Sequence, residues 1–134
     1  MIDDGERWKG LDVVWLAVDS CDRVAAFVTA GDGPIPAASV DAVEDSEKRV
    51  CALPACADHQ ILESMPRPDS FIALARRGLF VYDWTGARYE LIAVPQPPLI
   101  AGNADAAIRE RALLARLPHV HFGLPVIEVS SIGI

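Results

Sequence analysis

The chain has 134 residues, of which 51% are hydrophobic and 23% charged, and its formal net charge is −7. That length fits one compact domain, here taken as residues 1–134, and the apolar content excludes a disordered chain. The acidity disfavours a nucleic-acid-binding surface, and no apolar run approaches the ~20 residues of a membrane-spanning helix.

Residues 1–10 are polar apart from Trp8, which is placed to pack back on the domain. Val13–Val18 and Val24–Thr29 are rich in β-branched and aromatic residues and are separated by the polar break Ser20-Cys21-Asp22. Two such runs predict a β-hairpin. Both are nearly continuous in apolar character, as expected of strands covered on two faces. Gly31-Asp32-Gly33-Pro34 then stops the strand, and Pro36 stiffens the exit. The turn reads as a rigid strand-to-helix corner or as a ligand loop.

Ser39 to about Leu53 predicts a helix, with Ser39 or Asp41 as its N-cap and Val40, Val43, Val50 and Cys51 as a buried stripe. Asp58–Met65 is read as one or two helical turns. Phe71–Ala75, Leu79–Trp84 and Tyr89–Val94 are read as a three-strand meander, with a helix over residues 70–77 as the alternative for the first. Pro95, Pro97 and Pro98 are expected to stop the last strand. Asn103–Leu117 predicts a helix capped by Asn103, with an Asp105–Arg109 pair and with Leu113, Leu114 and Leu117 on its core side. The apolar tail offers one final strand. The expected fold class is α+β: a mainly antiparallel sheet of about five or six strands with two or three packed helices.

Charge is spread unevenly. Residues 1–66 hold 13 acidic and 5 basic side chains, net −8, whereas residues 67–134 hold 6 acidic and 7 basic, net +1. The densest acidic cluster lies on the first predicted helix, at Asp41, Glu44, Asp45 and Glu47. Such a face either keeps the protein soluble or steers a basic protein partner, so these four are the candidate partner-binding residues.

Motifs for chemistry are sparse. Cys51-x4-Cys56-x2-His59 is the one metal-like cluster, but a structural zinc site needs four ligands and no second cysteine pair follows, so neither metal nor cofactor is expected. Small buried apolar cysteines are the simpler reading. His119 and His121, two apart, would share a face on a strand and are a candidate acid/base pair. Phe80, Tyr82 and Trp84 would also share a strand face, as core or as a binding surface. No nucleophile elbow, P-loop or dinucleotide fingerprint selects catalytic residues, and none is assigned. Three cysteines argue against a secreted disulfide scaffold, and the opening MIDDGERWKG lacks the pattern of a signal peptide, so a cytoplasmic protein is expected.

WLAVDSCDRVAAFVTAGDGPIP, with GLFVYDW and YELIAVPQPPL downstream, resembles a group of small uncharacterised bacterial proteins. They share an opening of the form WLA.D..G.VA.F.T.G.GP.P and a later GL..YD segment followed by Y and A.P..PL. This chain departs from them at Asp22-Arg23, where the turn more usually holds a glycine. Members occur among candidate immunity proteins encoded beside polymorphic toxins. The resemblance implies a non-enzymatic protein that binds and neutralises a cognate toxin, and it carries no site residues. The alternative is a small-molecule-binding or enzymatic domain using the Gly31–Pro36 turn and His119/His121.

Overall fold

The computed structural model describes residues 2–3, 6–62 and 68–132. Its strands are β1 (Ile2–Asp3), β2 (Val14–Val18), β3 (Val24–Val28), β4 (Ile35–Pro36), β5 (Asp58–Ile61), β6 (Phe80–Trp84), β7 (Tyr89–Gln96) and β8 (Val126–Ile127). Its α-helices are α1 (Val43–Cys51), α2 (Asp69–Arg76) and α3 (Ala106–Leu113). The main sheet has the order β2-β3-β6-β7-β5, with β8 also on β7, while β1 and β4 pair separately. Every ladder among the described residues is antiparallel except β3–β6. The fold is α+β.

The β2–β3 hairpin forms as its composition predicts. All five positions of β3 are buried, and so are four of five in β2. Alternation explains this. Leu16, Val18, Val24 and Ala26 pack on Val50, Ile108 and Ala112, and Val28, Val81 and Ala93 pack on Ala75 of α2, so all three helices cover one face. Trp15, Phe27, Phe80, Tyr82 and Tyr89 point the other way and form an aromatic layer with Phe122. Trp15 stacks on Phe27 at 4.2 Å and Phe27 on Tyr82 at 5.2 Å, with Tyr89 edge-on to both Trp15 and Phe27. The aromatics of β6 are therefore core, with Trp84 partly buried at its rim.

Several local expectations are corrected. Neither Ser39 nor Asp41 caps α1, because both lie inside a 3-10 turn (Ala37–Ala42) that leads into it from Pro36. Their backbone is already helical, so neither adopts the extended geometry of a cap. Cys51 is exposed rather than part of the buried stripe. Residues 58–61 are strand rather than helix; residues 63–65 of that stretch lie outside the described residues. Phe71–Ala75 belongs to α2, not to a strand. Leu74 and Ala75 fall three and four residues after Phe71, so one helical stripe packs all three against the sheet. Gly78, at φ +94°, follows α2 in the left-handed conformation suited to a helix end.

β7 continues through Pro95 to Gln96. Pro95 lies past Ala93, the last β7 residue paired with β6, so the ladder there is one-sided and tolerates a residue without an N–H. Asp105, not Asn103, caps α3, accepting a 3.0 Å bond from the Ile108 amide; Arg109 turns to the Ala104 carbonyl instead of pairing with Asp105. Ile108 and Ala112 are buried core residues of α3, Leu113 packs partly buried beside them and Leu117 is buried beyond the helix, as expected; Leu114 instead is 42% exposed. After α3 the chain runs along β2: the Val18 amide donates to Ala115 and the Leu117 amide to Val18.

Candidate functional site: an acidic groove between two helices

The acidic cluster follows from helix geometry. Asp41, Glu44 and Asp45 are three or four residues apart, so they share the outer face of α1 and of the turn before it. With Lys48 they line a shallow surface hollow of about 250 Å³. α3 packs beside α1, and between them lies an open groove of about 670 Å³ lined by Ala38, Asp41, Ala42, Asp45, Glu110, Arg111, Leu113 and Leu114. Three acids and one base give these walls a net −2, and Leu114 supplies an exposed apolar surface.

The acids differ in how free they are. Asp41 is almost fully exposed and takes a 2.9 Å ion pair from Arg7, itself half exposed. Glu44 is exposed. Asp45 is half-buried and paired: Arg111 contacts its carboxylate from α3, and Arg49 approaches at 3.7 Å from one turn on. This pairing across the groove floor ties α1 to α3, and Arg111 also donates to Glu110 at 3.2 Å; Asp41, Glu44 and Glu110 are nevertheless the more exposed acids.

Glu47 does not belong to this face. It is half-buried beside Val14, Val50, Cys51 and Leu74, in a small hollow of about 70 Å³ where α1 meets β2. Its carboxylate accepts a hydrogen bond from the Val14 amide. Burial pushes its pKa up, the Asp12 charge adds to that, the Val14 bond opposes it, and Glu44 adds a little more. Glu47 therefore helps close the outer edge of β2, a task also served by residues 115–117.

The Gly31–Pro36 turn and the two histidines do not share a site. The turn follows the end of β3, while His121 sits beside Cys21 at the opposite end of the hairpin, its Nδ1 3.5 Å from the Cys21 sulfur. Five strand residues separate these ends, roughly 16 Å. His119 and His121 lie in a loop, both exposed, so strand alternation does not align them. The turn itself is a packed corner. A side chain on Gly33 would run into the Tyr89 hydroxyl and reach 3.0 Å from Trp84 Cβ. That hydroxyl donates to the Pro34 carbonyl at 2.9 Å and receives Trp15 Nε1 at 3.2 Å.

Cys51 and Cys56 are exposed rather than small buried residues, and among the described residues no group of three or more His, Cys, Asp or Glu is placed to hold a metal ion.

The polar centre that sequence reasoning passed over is Asp19. Its carboxylate is wholly buried and receives the amides of Cys21, Arg23 and Phe122 at 2.8–2.9 Å, together with Arg23 Nε at 3.0 Å and the Arg23 terminal nitrogen at 2.9 Å. Arg23 also donates to the Phe122 carbonyl at 2.5 Å and lies over the Phe80 ring at 4.9 Å. The available signal was the acid itself, standing at the end of an otherwise apolar strand. No family model matches the chain, and no curated protein or solved structure is significantly similar to it.

Proposed function

We propose that this chain is a non-enzymatic protein-binding module, a cytoplasmic immunity protein that neutralises a cognate bacterial toxin by occluding it. The observation that carries the reading is the groove between α1 and α3, where Asp41 and Glu110 lie beside exposed Leu114, with Glu44 in the adjoining acidic hollow on the outer face of α1. Charge around an apolar patch steers a basic partner and then gives it something to bury. The resemblance of the WLAVDSCDRVAAFVTAGDGPIP block to candidate immunity proteins supplies the class of partner. The larger hollows are open grooves along the helices rather than enclosed chambers, which suits a protein ligand better than a small molecule.

The test is co-expression with the product of the neighbouring gene. Growth should be rescued from that product by this chain and not by the Asp41→Lys/Glu44→Lys variant, with binding that weakens steeply between low and high salt. Rescue by the reversed variant, or salt-insensitive binding, removes the acidic face from the interface. Failure of the unaltered chain to bind or rescue overturns the immunity reading itself.

A further inference from the structure

We propose, resting on the reading of the α1–α3 groove as the partner-binding surface, that its occupant is one amphipathic helix of the partner, whose apolar stripe seats on Leu114 and whose arginines meet Asp41, Glu44 and Glu110. The groove is the middle of a longer track. It shares Asp41 and Asp45 with the acidic hollow on the outer face of α1. It also shares Ala38 and Leu114 with a further hollow of about 200 Å³, bordered by Pro36, Leu117 and Ile132 and apolar apart from Arg116. The two outer hollows have no lining residue in common, so the track runs from an acidic end to a mainly apolar one.

Backbone chemistry selects a helix to fill it. Every residue lining the groove lies in the 3-10 turn before α1, in α1, in α3, or at Leu114, which ends α3. None belongs to a strand, so the groove offers no row of strand N–H and C=O groups. An extended peptide would lie there with its own backbone unpaired where the contact shuts out water, whereas a helix arrives with those groups already bonded. Ala38, Ala42 and Asp45 recur at helical spacing on one wall, as do Glu110 and Leu114 on the other. Two such rows bound the kind of channel that the side-chain ridge of a third helix enters.

Charge selects arginine on the flanks of that helix. The protein's own guanidinium groups already sit on these acids: Arg7 pairs with Asp41 at 2.9 Å, and Arg111 contacts Asp45 and lies 3.2 Å from Glu110. The Asp41–Arg7 pair is exposed on both sides, and pairs of that kind are weak, so an incoming arginine can take Asp41 from Arg7. Glu44 stands exposed one turn further along. Leu114 then supplies the apolar surface that the centre of the helix buries.

The test uses the full chain and a fluorescein-labelled, alanine-based helical peptide of about 18 residues. Its leucines form one stripe, and its arginines flank them. A second peptide has the same composition with the leucines scattered round the helix. Fluorescence anisotropy should show the first peptide binding and the second binding at least about tenfold more weakly. Leu114→Ser should cost about tenfold, and Asp41→Lys/Glu44→Lys at least as much, with unchanged circular dichroism spectra. Equal binding of the two peptides, no binding, or binding indifferent to Leu114→Ser overturns the proposal. So does sedimentation showing self-association that Leu114→Ser abolishes, which would give the groove to a second copy. Rescue from the neighbouring gene's product that survives Leu114→Ser would overturn the helix and leave the immunity reading standing; selective peptide binding without rescue would support the helix and overturn immunity alone.

Discussion

Asp19 and Arg23 form an ion pair in which the Asp19 side chain is fully buried and the Arg23 side chain retains 16% exposure, and the same carboxylate holds the amide of Phe122, about a hundred residues on. The pair thereby joins the β2–β3 connection to the C-terminal segment. A buried pair is costly to break because the surviving charge stays desolvated. Asp19→Ala should therefore lower unfolding free energy by about 3–5 kcal/mol. The midpoint of urea denaturation should fall with little change in slope; a loss below about 1 kcal/mol would show that the pair is not desolvated as described.

Both tyrosines of this chain are buried, and burial is the main reason that their phenols resist ionisation. Tyr82 is pushed up to about 12, and Tyr89 is raised as well. The unfolded chain ionises both near pH 10. The folded state therefore holds its phenolic protons where the unfolded state loses them, and the stability this represents, complete below pH 10, falls as pH rises from about 10 to 12. Ultraviolet titration at pH 10.5 should show almost no tyrosinate in the native protein and more than half in denaturant. Early tyrosinate absorbance in the native protein would mean that the aromatic layer is open.

Gly33 and Tyr89 should behave as one unit. Gly33→Ala forces a methyl group against the Tyr89 hydroxyl, an overpacking expected to cost about 1–3 kcal/mol. Tyr89→Phe removes the bond to Pro34 and the acceptor of Trp15 Nε1, again about 1–3 kcal/mol. It also removes the atom that Gly33→Ala collides with. The double variant should be more stable than the sum of the single losses, by about 0.5–2 kcal/mol in a thermal or urea double-mutant cycle. Strict additivity would separate the two residues.

Glu47 gives the opposite sign from an ordinary surface acid. Its raised pKa means that the folded state binds its proton better than the unfolded state. Its stabilising contribution is complete below the ordinary carboxyl range and is lost as pH rises through the raised value, leaving a desolvated charge near Asp12 and Glu44 at pH 7. Glu47→Gln keeps an oxygen for the Val14 amide and removes that charge. Its urea midpoint should exceed that of the unaltered protein at pH 7, and the gain should vanish at about pH 4, where glutamate is itself largely protonated. A lower midpoint at pH 7 would place Glu47 in solvent after all.

The hairpin was legible in the sequence because β-branched and aromatic residues fill both faces of β2 and β3. The acidic face was legible because Asp41, Glu44 and Asp45 follow helical spacing. α2 was misread because its short apolar run does not reveal its period; the helix emerges once Phe71, Leu74 and Ala75 find the same sheet face. Glu47 and Asp19 were illegible for a shared reason. Each is defined by a backbone amide distant in sequence, that of Val14 for the first and of Phe122 for the second. Local pattern sees only a solvated helix acid and a turn acid.

The parallel pairing of β3 with β6 governs the order in which this chain can mature on the ribosome. Val24–Val28, buried along its whole length in the finished protein, has only β2 beside it when it leaves the exit tunnel. Its second neighbour does not exist until Phe80–Trp84 has been synthesised. For the intervening part of translation this strand, interior in the finished sheet, is an apolar edge, so this is the interval in which the nascent protein most needs a chaperone.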